Sequence, residues 1–236
     1  PQCLPSRAGI WTGHYPHDTG LVCFPDTCEL RPGVEHIAAI LGREGWETNI
    51  FGQQHVVHEQ TDEGYAPERR CRLGFQVEHG FTRPAAAEAD KVVAWLEGRS
   101  KSDAPFYTHV GLYEPHRDFD HADTQQRLLA EIEVPPYLPD LPGTREDLAE
   151  MEASICSVDK AVGRILEALE RTGHAENTLV VFTVDHGIPF PRAKASLYDP
   201  GIEAALMIRV PGGPAGRVVE GLSAHVDLVP TQLDVL

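Results

Sequence analysis

No apolar run approaches the roughly 20 residues that a membrane-spanning helix needs, so no helical span is predicted. Positive charge is scarce too: 20 Lys and Arg stand against 36 Asp and Glu, a formal net charge of −16. Nucleic-acid binding needs clustered cations that displace counterions, and this balance argues against it. The balance also sits awkwardly with an anionic ligand, although cations gathered in one cleft attract an anion whatever the global sign. Cysteine is sparse, with five residues at positions 3, 23, 28, 71 and 156. An odd number leaves at least one thiol unpaired, and the spacing matches neither a zinc ribbon nor a CxxC redox motif. Cys23 and Cys28 would pair in an oxidising compartment or remain two thiols, and both readings stay open. Internal repeats and low-complexity tracts are lacking. The chain begins at Pro1 with no secretory leader pattern, which reads as a fragment or processed form.

What is present is an ordinary globular composition, 42% hydrophobic and 24% charged over 236 residues, enough for one α/β domain with a sizeable core. Strand-like and helix-like segments alternate, which predicts a largely parallel sheet. Val34 to Glu44 reads as a short helix stopped by Gly45, followed by a strand over Thr48-Asn49-Ile50-Phe51. A second helix is predicted from Pro84 to Gly98 and a strand from Phe106 to Leu112. The longest helix is expected from Arg145 to Arg171, with Thr144 as N-cap and Glu146 and Asp147 in the first turn. Its apolar positions, Leu148, Met151, Ile155, Val158, Val162, Ile165, Leu166 and Leu169, define one stripe by steps of three and four. Thr178 to Val184 is β-branched and apolar, as suits a central strand covered on both faces. Ala205 to Val210 reads as a further strand and Asp227 to Leu236 as a helix. Between Asp118 and Gly143 the pattern fails, and a long surface excursion is expected.

Several polar residues fall where chemistry would use them. Cys3 precedes a Ser-Arg helix start, and both the helix dipole and Arg7 would favour its thiolate, which suggests a nucleophile. The bland alternative is a buried, inert cysteine. Asp185-His186-Gly187 ends the apolar strand, at the carboxyl edge where open α/β sheets bind ligands. An aspartate beside a histidine there would ligate a metal, against the ordinary reading of a turn. His116 follows a strand and Pro115, and Lys194 lies in a loop where a solvated surface charge is the default.

The segment Cys3-Leu4-Pro5-Ser6-Arg7, with Thr12-Gly13 beyond it, resembles the signature of the type I sulfatases, in which C-x-P-x-R marks a cysteine oxidised to formylglycine. The run Gly45-Trp46-Glu47-Thr48-Asn49-Ile50-Phe51-Gly52-Gln53-Gln54-His55 looks like a second block of that family. His55 matches its histidine, and Gln53 stands where a sulfate-contacting lysine is usual. Glu114-Pro115-His116 resembles the block whose histidine assists leaving-group departure, and Asp185-His186 resembles the cation-binding pair. Lys194, with Ser196 to Gly201 after it, is similar to the heparan N-sulfatase branch, and His225 to Thr231 resembles a segment of structural role.

This resemblance implies an alkaline-phosphatase-like α/β sandwich, a large and mostly parallel sheet between helices. Residues 1–236 would form a partial catalytic domain, without the family's first strand of paired metal-binding aspartates and without its small C-terminal domain. It implies Cys3 (as formylglycine), Arg7, His55 and His116 as catalytic residues, Lys194 and Gln53 as substrate contacts, and Asp185, His186 and residue 3 around a divalent cation, calcium by analogy. The substrate would be a sulfated sugar or glycosaminoglycan end, the processing partner a formylglycine-generating enzyme, and the compartment exported, periplasmic or lysosomal. A homodimer is left open. A hydrated aldehyde would attack sulfur through one hydroxyl and expel sulfate through collapse of the other. Two rivals remain: a phosphate or phosphonate ester hydrolase of the same architecture, to which Gln53 would be the clue, and a non-catalytic relative that binds sulfated glycans.

Overall fold

Ile50 and Phe51 are neighbours that must face opposite ways along a strand, and both are buried, so this strand needs cover on its two sides. The computed structural model, which describes residues 1–22, 30–56, 60–61, 64–65, 74–101, 103–119 and 129–236, provides it. Helices α1 (Cys3–Thr12), α2 (Pro16–Thr19) and α3 (Ile37–Arg43) come first, then strand β1 (Glu47–Gly52). Two short strands, β2 (Gln60–Thr61) and β3 (Gly64–Tyr65), pair antiparallel with each other. Then follow β4 (Val77–Glu78), α4 (Ala85–Glu97) and β5 (Phe106–Gly111). The remainder is α5 (Pro142–Arg171), β6 (Val180–Thr183), α6 (Asp199–Ile202), β7 (Leu206–Arg209) and α7 (Leu228–Val235). Cys23, Cys28 and Cys71 lie outside the described residues, so their pairing does too.

The sheet β4-β1-β5 is parallel, in register from Glu47 opposite Phe106 to Gly52 opposite Gly111. Ile50 packs with Leu4, Ala8 and Trp11 of α1 and Ala38 of α3, while Phe51 packs with Val92 and Leu96 of α4 and Ala168 and Leu169 of α5. Helices therefore flank the parallel sheet on both sides, as expected. At its carboxyl end the strands nearly touch. A Cβ on Gly52, where φ is +75°, would stand 2.2 Å from the Gly111 carbonyl oxygen, and one on Gly111 would stand 2.0 Å from that of Gln53. Only glycine fits both places.

Three expectations need correction. The long helix starts earlier than Arg145, at Pro142 after Leu141, with no side-chain cap and no acidic residue in its first turn. Proline, whose missing N–H costs nothing in a first turn, does the work expected of Thr144. The strand around Val180 is not a fully covered central strand. All four of its residues are half-buried, and it pairs only with β7, antiparallel, among the described residues. Lastly, the stretch from Asp118 to Gly143 is more than surface. Phe119, Ile132 and Leu138 are buried against Leu148 and Met151 of α5 and against Phe190. Isolated apolar anchors between prolines form no period, which is why the pattern hid them.

Candidate active site

Helix α1 sorts its residues by spacing. Leu4, Ala8 and Trp11, at i, i+4 and i+7, enter the core, whereas Cys3 and Arg7, at i and i+4, share the neighbouring face. That face meets the carboxyl end of β6. Arg7 Nε donates to Asp185 Oδ2 at 2.9 Å, with both side chains mostly buried. Cys3 Sγ lies 3.2 Å from His186 Nε2, which is 3.4 Å from Asp185 Oδ1. Two more elements complete the ring. His116, in the turn after β5, and His55, just past β1, both lie near enough to Cys3 to lower its pKa. His55 holds a left-handed backbone with φ of 55°, uncommon for a residue with a side chain and a mark of a position fixed by its surroundings. Lys194 lies close enough to act on the charges of His116 and Asp185.

The structure thus gathers Cys3, Arg7, His55, His116, Asp185, His186 and Lys194 at one place. Gln53 joins through its backbone, whose carbonyl accepts from Arg7 Nη1 at 3.3 Å. Electrostatics follow from the contacts. Burial alone would raise the Cys3 pKa, but hydrogen bonds from His116, His186 and His55 outweigh it and bring the thiol down to about 3. Arg7 meanwhile pairs with Asp185, whose charge opposes the thiolate. His116 is lifted above the usual imidazole value, chiefly by its bond to Cys3. His186 rises as well: burial pulls it down, and Cys3 and Asp185 more than reverse that. Burial would raise Asp185, yet Arg7, His186 and Lys194 hold it below the ordinary carboxylate range.

Ser6 and His225 are neighbours of the site that the motif did not single out for chemistry. The Ser6 hydroxyl donates to the Asp185 carbonyl and sits 2.8 Å from His225 Nδ1, while His225 Nε2 is 3.4 Å from the Thr183 hydroxyl. The structural role expected for the His225 segment is therefore specific: it braces α1 against the end of β6.

Cys3 Sγ, an Asp185 oxygen and a His186 nitrogen lie within 4.8 Å of one another. His186 Nδ1 faces the Gly187 carbonyl at 2.8 Å, an arrangement that leaves Nε2 turned towards residue 3 and Asp185. One anionic oxygen donor and one imidazole fit part of a divalent-cation site. Calcium, which takes six to eight oxygen ligands, would need further oxygens beside these.

A nucleophile-type residue at a helix start and a carboxylate at a strand end thus meet beside a parallel sheet flanked by helices, an α/β architecture of the alkaline-phosphatase-like class. The Sulfatase family model matches residues 1–236, and the chain belongs to the sulfatase family. It is 30% identical over 270 residues to N-sulphoglucosamine sulphohydrolase of Homo sapiens, an alignment covering 98% of this chain and 51% of that protein. A solved structure concerning glycosaminoglycan metabolism by Bacteroides thetaiotaomicron matches with a TM-score of 0.84 at 25% identity, covering 99% of this chain and 60% of that one. A phosphonate monoester hydrolase from Silicibacter pomeroyi matches with a TM-score of 0.81 at 22% identity, over 99% and 63% respectively. The chain spans about half the length of the curated relatives it matches.

Proposed function

We propose that this chain carries the sulfate-releasing site of a formylglycine-dependent sulfatase acting on a sulfated sugar, with an N-sulfoglucosamine end as the first substrate to test. The observation that carries this reading is the surrounding of residue 3: His186 contacts it, His116 and His55 lie near enough to shift its pKa, and Asp185, held by Arg7, lies beside it. The Cys3 sulfur marks where the oxygens of a hydrated formylglycine would sit. That group would supply one hydroxyl to attack sulfur and a second whose deprotonation expels sulfate.

The chain's own residues would then divide the work. Asp185, with His186 and residue 3, would hold a divalent cation, which supplies charge to polarise sulfate oxygens. Arg7 fixes the Asp185 carboxylate and, through the Gln53 carbonyl, ties α1 to the end of β1. His116, whose turn brings it beside residue 3, would hand its proton to the departing nitrogen or oxygen. His55 would orient residue 3, and Lys194 would neutralise charge that grows on the transferred group.

The family's first strand and its small second domain are part of the proposal. β5 and β6 both reach the cluster around Phe51 and Leu169, yet they belong to separate sheets among the described residues. A strand carrying further acidic ligands would use the edges they leave unpaired.

The test is sulfate release from N-sulfoglucosamine by the full-length protein produced with a formylglycine-generating enzyme, compared with Cys3→Ala. Release that disappears in the variant supports the reading, and no release from fully converted protein overturns it. Gln53, in place of a cation, favours a second reading, hydrolysis of phosphate or phosphonate esters. Those esters belong in the same assay, where faster turnover than of any sulfate ester would select it.

A further inference from the structure

His116 sits in a turn, residues 113–118, that leaves the sheet directly behind the site, and something must hold that turn still. Its own contacts do part of this: Tyr113 hydroxyl donates to the Arg117 carbonyl at 2.9 Å, and the Tyr113 and His116 rings lie 5.0 Å apart. Arg117 anchors the far side, donating to the Pro189 carbonyl at 3.2 Å and to Asp147 at 2.6 Å. On the near side stands Glu114, next but one to His116, with a side chain 1% exposed. Neither of its carboxylate oxygens has a hydrogen-bond partner among the described residues. A buried carboxylate without hydrogen bonds depends on a nearby cation, because removing that cation leaves an uncompensated charge in a poorly solvated place.

The cation is Arg83, in the segment that leads into α4. Its Nε is 3.7 Å from Glu114 Oε1, its guanidinium carbon lies 4.0 Å over the Tyr113 ring, and its Nη2 donates to the Asp118 carbonyl at 3.2 Å. One side chain thus touches the first, second and last residues of the turn, by charge, by ring face and by hydrogen bond. Nothing in the sequence pattern marks it, since a lone arginine before a proline reads as surface charge.

We propose that Arg83 is a positioning residue for His116, holding the 113–118 turn through Tyr113, Glu114 and Asp118 so that the imidazole stays directed at residue 3 and the leaving group. This rests on the reading of His116 as the leaving-group acid. Arg83 itself meets no reacting atom. Lysine would keep the charge opposite Glu114 but lose the planar group over Tyr113 and the fork that also reaches Asp118.

The experiment uses full-length, formylglycine-converted protein as wild type, Arg83→Gln, Arg83→Lys and His116→Ala, with two aryl sulfates, one whose phenol is a good leaving group and one whose phenol is poor. A mispositioned acid slows the ester that needs a proton and spares the one that does not. Arg83→Gln is expected to lower kcat on the poor leaving group by about tenfold or more, and on the good one by less than about threefold. Arg83→Lys should fall between wild type and Arg83→Gln. An equal slowing of both esters would mean a general structural role and overturn the proposal. His116→Ala separates the two ideas: if it fails to steepen the leaving-group dependence, the acid role of His116 falls. Hydrogen exchange of the same variants then decides Arg83 without turnover. Faster exchange confined to the amides of residues 113–118 in Arg83→Gln supports the positioning role, and unchanged exchange there overturns it whatever the kinetics show.

Discussion

Cys3 is a thiol in the unconverted chain, and its surroundings make that thiol a probe of the site. With hydrogen bonds from His116, His186 and His55 bringing its pKa to about 3, it is a thiolate throughout the neutral range. Alkylation of Cys3 by iodoacetamide, followed by peptide mass spectrometry, should therefore stay flat between about pH 5 and about pH 8, whereas an ordinary thiol with pKa near 8.5 would gain about tenfold per unit at the acid end. A tenfold climb at Cys3 would contradict the histidine ring. His116→Ala removes the largest lowering contact, so the Cys3 rate in that variant should fall first at the acid end. At this scale the sequence was informative because residue types in the C-x-P-x-R segment are tied to chemistry. It was silent where partners are brought together only by folding. Ser6 meets His225 across 219 positions, and Arg83 meets Glu114 across the end of the sheet. Arg7 shows the intermediate case: its importance was legible, but its partner, Asp185, was not.

Elements were legible where a period repeats. β1 and β5 stand within a residue or so of their expected ranges, and α5 buries Leu148, Met151 and Leu169 of its expected stripe. Ile155, counted in that stripe from sequence, is exposed instead, and the small, buried Ser154 takes the inward place. β6 was misjudged because an apolar run records hydrophobicity and not which edges are paired. Glycine gives a sharper test of the architecture. Gly111→Ala would drive a Cβ to 2.0 Å from the Gln53 carbonyl and force apart β1 and β5 where His55 and the His116 turn emerge. It is expected to cost more than about 2 kcal/mol of unfolding free energy. Gly163→Ala, in the middle of α5 with open space around it, should stabilise by about 0.5–1 kcal/mol. Urea unfolding of both variants checks the pair: a neutral or stabilising Gly111→Ala would mean that the close approach of the strands is wrong, and a destabilising Gly163→Ala that the space beside α5 is not open.

At the scale of the whole molecule the site also holds two parts together. The parallel sheet and the β6–β7 pair share no ladder among the described residues, and they meet through the helices α4 and α5 and through the contacts of the candidate site. Those contacts are Arg7 with Asp185, Cys3 with His186, and Ser6 with the Asp185 carbonyl. The geometry of the candidate site and global stability are therefore coupled, most directly in the Arg7–Asp185 pair, whose side chains are 16% and 17% exposed. Breaking such a pair from one side leaves a charge stranded in a poorly solvated place, which costs about 3–5 kcal/mol. Arg7→Met strands the carboxylate and Asp185→Asn strands the guanidinium, while the double variant strands neither. The double variant should accordingly be more stable than the two single losses add up to, with a coupling of about 1–3 kcal/mol. The pH dependence has a fixed sign. Because the Asp185 pKa is depressed in the folded state, its contribution is complete above the unfolded carboxylate value of about 3.9 and is lost as pH falls below it through the folded value. Urea unfolding of the four proteins at neutral pH, repeated at successively lower pH, would read both effects. Strict additivity at neutral pH would show that the Arg7–Asp185 contact does not bind the two halves of the fold, and an unchanged coupling well below the folded pKa would show that it is not electrostatic.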